Sequence, residues 1–323
     1  MHSNAIKTLL AASILVALQG LSAAQDPTYA EKLGWPEGTR ALILHVDDAG
    51  MSLDSNRGTI KAMTEGVATS CSVMMPCPWV PDMVRWLKEN PEMDAGLHLT
   101  LTSEWGKYRW GPVAGKLAVP GLVDEEGALW DSTQRVVMNA SPDEVETEVR
   151  AQLDRARTMG FEPTHLDTHM GTILATDAFM ERYIKIGIET GIPVMIPVGH
   201  NFYAKQQYGE RAGAQAQMIG KMLWNAGLPV LDDLHNTSYG WKTTDKTDNY
   251  IEAIKGLKPG VTMIIMHCTD PSEIFGDISS SGTTRLGDLN AMLDPRLRKA
   301  IEDENIVLTT WRELKERRDK AGD

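Results

Sequence analysis

The chain reads as one α/β domain with a parallel sheet, either a closed or nearly closed barrel or an open doubly wound sheet with the same alternation. Three observations lead there. Short apolar, β-branched runs alternate with longer stretches of helical period from residue 41 onward. The 323 residues, 42% of them hydrophobic and without a compositional break, suffice for one large core. Most histidines, and two pairs of aspartates, fall where the predicted strands end, the edge at which parallel α/β folds carry their working residues.

Taken in order, the first 24 residues are set aside. Lys7, an apolar run from Leu9 to Leu18, and the small residues Ser22 and Ala24 before Gln25 read as a cleaved secretion signal. The run is shorter than the ~20 residues a bilayer span needs. The mature chain, 25–323, is expected to be a single domain, periplasmic or secreted, without stable membrane insertion. Eight strands are predicted at 41–46, 69–75, 95–101, 164–167, 193–198, 229–234, 261–266 and 305–309. Helices are predicted near 54–66, 80–90, 142–160, 174–190, 212–226, 247–257 and 286–302. The third helix is well marked, because Ser141-Pro142-Asp143-Glu144 supplies a cap, a proline at the first helical position and acids in the first turn. The stretch 103–140 holds too many Gly, Pro and Trp residues for regular structure, and long loops of this kind are usually lids or binding loops.

The formal charge of −12 becomes −13 once Lys7 leaves with the signal, since residues 1–24 contain no acid. Such a surface repels phosphate backbones and no basic run counters it, so nucleic acid is excluded as a partner. Cys71, Cys77 and Cys268 are too few and too oddly spaced for a disulfide framework; packed or free thiols are expected, with a Cys71–Cys77 bridge as the alternative. No serine-centred elbow, phosphate-cradling glycine loop or dinucleotide fingerprint appears in the right context, so covalent catalysis and nucleotide cofactors find no support.

What remains is the row of polar residues at the strand ends: Asp47-Asp48, His98, His165-Leu166-Asp167-Thr168-His169, Asp232-Asp233 with His235, and His267. Of eight histidines, His2 leaves with the signal and five of the other seven lie in this row. Two imidazoles and a carboxylate with open positions make a common catalytic site for zinc and related ions. A carboxylate beside such a site can take the proton of a water activated there. Consecutive side chains of a strand point opposite ways, so Asp47 and Asp48 serve one site only if the chain turns there, and Ala49-Gly50 offers that turn. Asp232, Asp233 and His235 are left out, since strand-end acids usually cap or are solvated.

The segments Leu42-Ile43-Leu44-His45-Val46-Asp47-Asp48-Ala49-Gly50-Met51-Ser52, Asn56-Arg57-Gly58 and Gly66-Val67-Ala68-Thr69-Ser70 together resemble the opening of the YdjC-like carbohydrate deacetylases. So do Gly96-Leu97-His98-Leu99-Thr100-Leu101-Thr102 and Pro163-Thr164-His165-Leu166-Asp167-Thr168-His169. The resemblance covers about 41–170 and, more weakly, the remainder. It implies a distorted (β/α) barrel of seven or eight parallel strands, a divalent metal ion, and hydrolysis of an N-acetyl group from a chito-oligosaccharide-type sugar. Position by position it assigns Asp48, His98 and His169 as metal ligands, Asp47 as catalytic base, and His267 as the group that protonates the leaving amine or steadies the oxyanion. His165 and Asp167 would orient the ligands. Zinc is the first choice of metal, with magnesium, manganese, cobalt and nickel as alternatives. The chain departs from the family at Met170-Gly171-Thr172, where further histidines usually follow, and at His267-Cys268-Thr269, where His-Pro-Gly is usual; both bear on pocket shape. Trp105, Tyr108 and Trp110 would offer aromatic platforms for sugar rings or else pack the loop. Alternative functions are a metal-dependent amidase or esterase on a non-sugar substrate, and a non-catalytic carbohydrate-binding protein on the same scaffold.

Overall fold

Ten consecutive residues, Arg40–Ala49, form the central strand β1, and the sheet is laid down around it. The computed structural model describes residues 26–322; the expected signal at 1–24 lies outside the described residues. Six further strands follow: β2 (Ser70–Val73), β3 (Ala95–Leu99), β4 (Leu166–Thr168), β5 (Asp233–His235), β6 (Gly260–Met266) and β7 (Val307–Leu308). They are all parallel, in the order β4-β3-β2-β1-β6-β5, with β7 beside the start of β1.

The two edges of this sheet curl towards each other and are bridged by the segment 193–198. Leu166 donates to the Pro193 carbonyl (2.8 Å), Met195 to Leu166 (2.9 Å) and Val198 to Leu231 (2.9 Å). The result is a distorted barrel, as expected. Residues 193–198 and 229–231 reach the ring only as single bridges, Val194 to Leu166 and Pro197 to Leu231, rather than as full strands. Pro193 and Pro197 have no N–H to give a ladder, which explains the shortening.

Strand alternation sorts the side chains into two kinds of core. Leu42, Leu44 and Val46 of β1 join Val73, Leu97, Leu99 and Leu166 in the large apolar cluster shared with the helices. The residues between them face inward. Ala41 and Ile43 meet Val261, Met263, Ile265 and Trp311 in a small apolar plug at the amino end of the strands, whereas His45 and Asp47 enter a column of buried polar groups with Ser70, Ser72, His98, His165 and Asp167.

Helices cover the outside. The predicted helix 286–302 is two, Gly282–Leu293 and Pro295–Asp303. Pro295 cannot continue the first, and the Asp294 side chain caps the second by accepting from the Arg296 amide. The sequence reading missed the helix Trp311–Ala321, whose eleven residues bury only Trp311, Leu314 and Arg318 and so show little periodicity. It also missed the short helices Thr133–Asn139 and Phe202–Tyr208. Among the described residues no helix is long and apolar enough to cross a membrane. Cys71, Cys77 and Cys268 are all free and buried, so Cys71 and Cys77 do not pair.

Candidate functional site

Asp47 and Asp48 share one site because β1 kinks at Asp48 itself. Its φ is +64°, a left-handed conformation that aspartate tolerates better than most residues, and the register with β2 slips between Val46 and Ala49. The turn therefore comes one residue before the expected Ala49-Gly50. Gly50 follows at φ +83°, where a side chain would run into Val80.

The bulge brings Asp48 to two histidines. Asp48 Oδ1 lies 3.3 Å from His98 Nε2 and 3.3 Å from His169 Nδ1, and those two nitrogens are 3.3 Å apart. All three residues are buried. This triangle has the size of one face of a tetrahedral site with bonds of ~2.1 Å, for which ligand atoms stand roughly 3.4 Å apart.

Each histidine is held from behind by a carboxylate. His98 Nδ1 is 2.8 Å from Asp167 Oδ1, with Ser72 Oγ also in reach at 3.2 Å. His169 Nε2 is 3.1 Å from Glu104 Oε2. Burial alone would raise both carboxyl pKa values, but the facing histidines hold Asp167 and Glu104 below the usual carboxylate range. Ionised carboxylates only accept, so the outer nitrogens donate and the inner ones turn lone pairs on the triangle. Three electron-rich atoms this close need positive charge between them. Without a metal that charge is protons: burial opposes a charged ring, yet the surrounding carboxylates raise His98 and push His169 up to about 9.

Below the triangle the polar column continues. His45 Nε2 sits 2.8 Å from Asp167 Oδ2 and 3.2 Å from Asp47 Oδ1, and its Nδ1 meets Ser70 Oγ at 3.0 Å. Burial works against its charge, but Asp167 and Asp47 raise its pKa to about 9. His165 is one layer lower, 3.8 Å from Asp167 and stacked on Trp311 at 5.1 Å; burial lowers its pKa. Asp167 stands against His98 Nδ1, where an orienting group would, while His165 is one step further off and meets Asp167 and the His45 ring. Two further groups of ligand type, His45–His165–Asp167 and Asp47–His98–Asp167, lie beside the first, and only the second shares a member with it, His98. In the first of them His45 Nε2 already faces Asp167 and Asp47, and in the second Asp167 Oδ1 already meets His98 Nδ1, so neither converges on one point as the triangle does.

On the open side, Asp47 Oδ2 lies 3.7 Å from His98 Nε2 and 3.8 Å from His267 Nε2. Burial, with Arg285 nearby, lowers the His267 pKa and leaves the ring neutral. The His267 amide donates to Asp288 Oδ2 at 3.0 Å; Asp288 Oδ1 in turn accepts from Lys246 (2.7 Å) and Tyr250 (2.6 Å), all three buried.

Sequence reasoning missed His45, Ser72, Glu104 and Arg285. His45 and Ser72 carried a signal, for each is two residues from another member of the inner face. Arg285 carried none. It arrives from the helix Gly282–Leu293, 2.7 Å from Asp48 Oδ2, with Nε on Ser281 Oγ at 2.7 Å and its guanidinium 5.4 Å from the Tyr239 ring centre and 5.7 Å from that of Trp105. Although burial would push the Asp48 pKa up, Arg285 and the histidines hold it well below its ordinary value. Formal charges make a simple tally. Asp47, Asp48, Asp167 and Glu104 face Arg285 and a protonated His45. With His98 and His169 counted as neutral ligands, two negative charges remain, which a divalent cation would balance in place of the two protons those rings otherwise hold.

Of the three loop aromatics, Trp110 is buried, with Nε1 on the Thr102 carbonyl (2.9 Å), and Tyr108 bonds the Met51 carbonyl (2.6 Å). Both pack the loop, and only Trp105 reaches Arg285. Asp232, Asp233 and His235 stand apart. Asp232 accepts from the amides of Tyr29 (3.0 Å), Ala30 (3.3 Å) and Val261 (2.8 Å), and Asp233 from Tyr203 (2.8 Å). Asp232→Ala would strand three buried donors, so thermal melting should show a loss of about 3 kcal/mol with metal binding unchanged. An unaltered melting temperature would contradict the anchoring role.

Comparison with known proteins supplies relatives. The family model described as YdjC-like protein matches residues 41–303. The chain is 35% identical over 274 residues to a carbohydrate deacetylase of Brevibacillus brevis, covering 84% of this chain and 99% of the relative. It is 31% identical over 135 residues to a chitooligosaccharide deacetylase of Yersinia enterocolitica, covering 40% and 49%. A solved Enterococcus faecalis structure described as a cellobiose-phosphate cleavage protein superposes with a TM-score of 0.71 at 20% identity, covering 85% of this chain and 99% of the other, a likeness of fold.

Proposed function

The chain belongs to the YdjC-like family, and we propose that it is an exported carbohydrate deacetylase that hydrolyses the N-acetyl group of a sugar or oligosaccharide with the help of one divalent cation. The observation that carries the reading is the 3.3 Å triangle of Asp48, His98 and His169 with Asp47 beside it. Relatives that act on carbohydrates support the substrate class. Export is supported by the signal-like first 24 residues.

Asp48 Oδ1, His98 Nε2 and His169 Nδ1 would hold the cation. Bound there, it would polarise the amide carbonyl and acidify a water molecule, zinc being the first choice. Asp47, with Oδ1 against His45 and Oδ2 towards the open side, takes the proton of the attacking water. His267, neutral and on the far side of Asp47, offers an N–H to the developing oxyanion and carries a proton to the leaving nitrogen. Asp167 and Glu104 fix which nitrogen each ligand histidine presents.

The test is acetate release from a panel of N-acetylated mono- and oligosaccharides, with chelator and then with zinc, manganese or magnesium restored. Acetate should appear only with metal. Silence across the panel with one metal bound per chain would sink the sugar-acetyl assignment in favour of another amide or an ester. Sugar binding to metal-stripped protein with no product at any concentration would make the chain a binding protein.

A further inference from the structure

Lys246 and Asp288 form an ion pair of 2.7 Å with both side chains fully buried. Such a pair gives back much of its attraction in desolvation, and apolar residues of similar volume often hold a fold as well or better. Neither group belongs to the triangle or to the polar column beneath it. What the pair does hold is the surroundings of His267. Asp288 Oδ2 accepts from the His267 amide at 3.0 Å, while Oδ1 takes Lys246 Nζ and, at 2.6 Å, the Tyr250 hydroxyl. Lys246 Nζ also donates to the Ser238 carbonyl at 2.9 Å, at the start of the turn Ser238–Gly240, and Ser238 Oγ ties that turn to the Ile265 carbonyl of β6 at 2.9 Å. From this turn the Tyr239 ring meets the His267 ring edge-on at 4.8 Å.

His98 and His169 each have a carboxylate behind one ring nitrogen. His267 has no such support: its Nδ1 is buried and finds no hydrogen-bond partner among the described residues, and its Nε2 stands 3.8 Å from Asp47 Oδ2. The ring is therefore placed by its backbone and by Tyr239, and both lead back to Lys246 and Asp288. Asp288 lies three residues after Arg285 on the helix Gly282–Leu293, so one helix face carries a contact to Asp48 and a contact to the His267 amide. We propose that Lys246 and Asp288 are positioning residues that fix the His267 ring beside Asp47, where it can hand a proton to the leaving nitrogen, an inference that rests on the deacetylase reading.

The decisive variant is Lys246→Met with Asp288→Leu, which leaves no charge buried and should fold. A pair that served stability alone would let this variant turn over like wild type. In acetate release from tetra-N-acetylchitotetraose with zinc restored, kcat should instead fall about 10- to 100-fold, with KM and zinc affinity within about two-fold of wild type. Added to His267→Ala, the same double change should cost less than about two-fold more, because groups that act through His267 have nothing left to place. Asp288→Asn, whose amide cannot accept from both sides, should show the same pattern more weakly and serves if the double variant fails to fold. The His267 ring signal in proton–carbon NMR, identified by its loss in His267→Ala, should move in either variant while those of His98 and His169 stay. Wild-type kcat in a folded variant, a matching loss of zinc affinity, a loss that multiplies in full with that of His267→Ala, or an unmoved His267 signal overturns the positioning role. If wild type releases no acetate from any sugar, the deacetylase reading falls, and the ring signal alone decides whether Lys246 and Asp288 place His267.

Discussion

With Asp47 replaced by Asn, the protein folds, holds its metal, and releases acetate about 10²- to 10⁴-fold more slowly. The substitution keeps the shape of the side chain, and the amide oxygen can still meet His45, so the column below is undisturbed. What it removes is the group that accepts a proton on the open side, 3.7 Å from His98 and 3.8 Å from His267. The loss should fall on kcat, with KM little changed, because Asp47 is proposed to act on the water rather than on the sugar. Turnover close to wild type would take Asp47 out of the base role. Metal lost along with turnover would move Asp47 into the ligand set instead, its Oδ2 standing 3.7 Å from His98 Nε2.

Asp48→Asn should do the opposite, emptying the site. Asparagine also tolerates the left-handed backbone at φ +64°, so the bulge survives. The negative charge does not, and Arg285, formerly 2.7 Å from Asp48 Oδ2, is left buried against a neutral group. Metal affinity measured by titration should drop by at least about 10²-fold, more than the 10- to 100-fold expected when only an orienting partner such as Asp167 is changed to Asn. Acetate release should fall below detection at micromolar metal. If Asp48→Asn instead binds metal as tightly as wild type, the three-ligand triangle is not the metal site.

Much of this was legible in the sequence because strands and helices announce themselves by period. The alternation placed β1, β2, β3 and β6 nearly where they lie, and the Ser141 cap marked the start of Pro142–Thr158. Asp47, Asp48, His98, His169 and His267 do meet, since parallel strands carry their ends to one rim. The illegible parts are contacts with no local rule. Arg285 reaches Asp48 from a helix that has no motif, and Glu104 reaches His169 from an irregular loop. The kink at Asp48 could be required on geometric grounds but not located, because aspartate and glycine both accept positive φ. The barrel's weak arc at 193–198 looked like an ordinary strand, although its prolines were in view.

The inward alternation of β1 to β4 also guards the fold while it forms. A slip of one residue in any of these strands would carry Leu44, Leu97 or Leu166 into the polar column and press imidazoles and carboxylates against the helices. Such a mispaired chain would bury several unpaired charges at once. The same histidines and aspartates that are proposed to do the chemistry therefore act as a gauge of strand register, penalising each wrong alignment before any metal or substrate arrives.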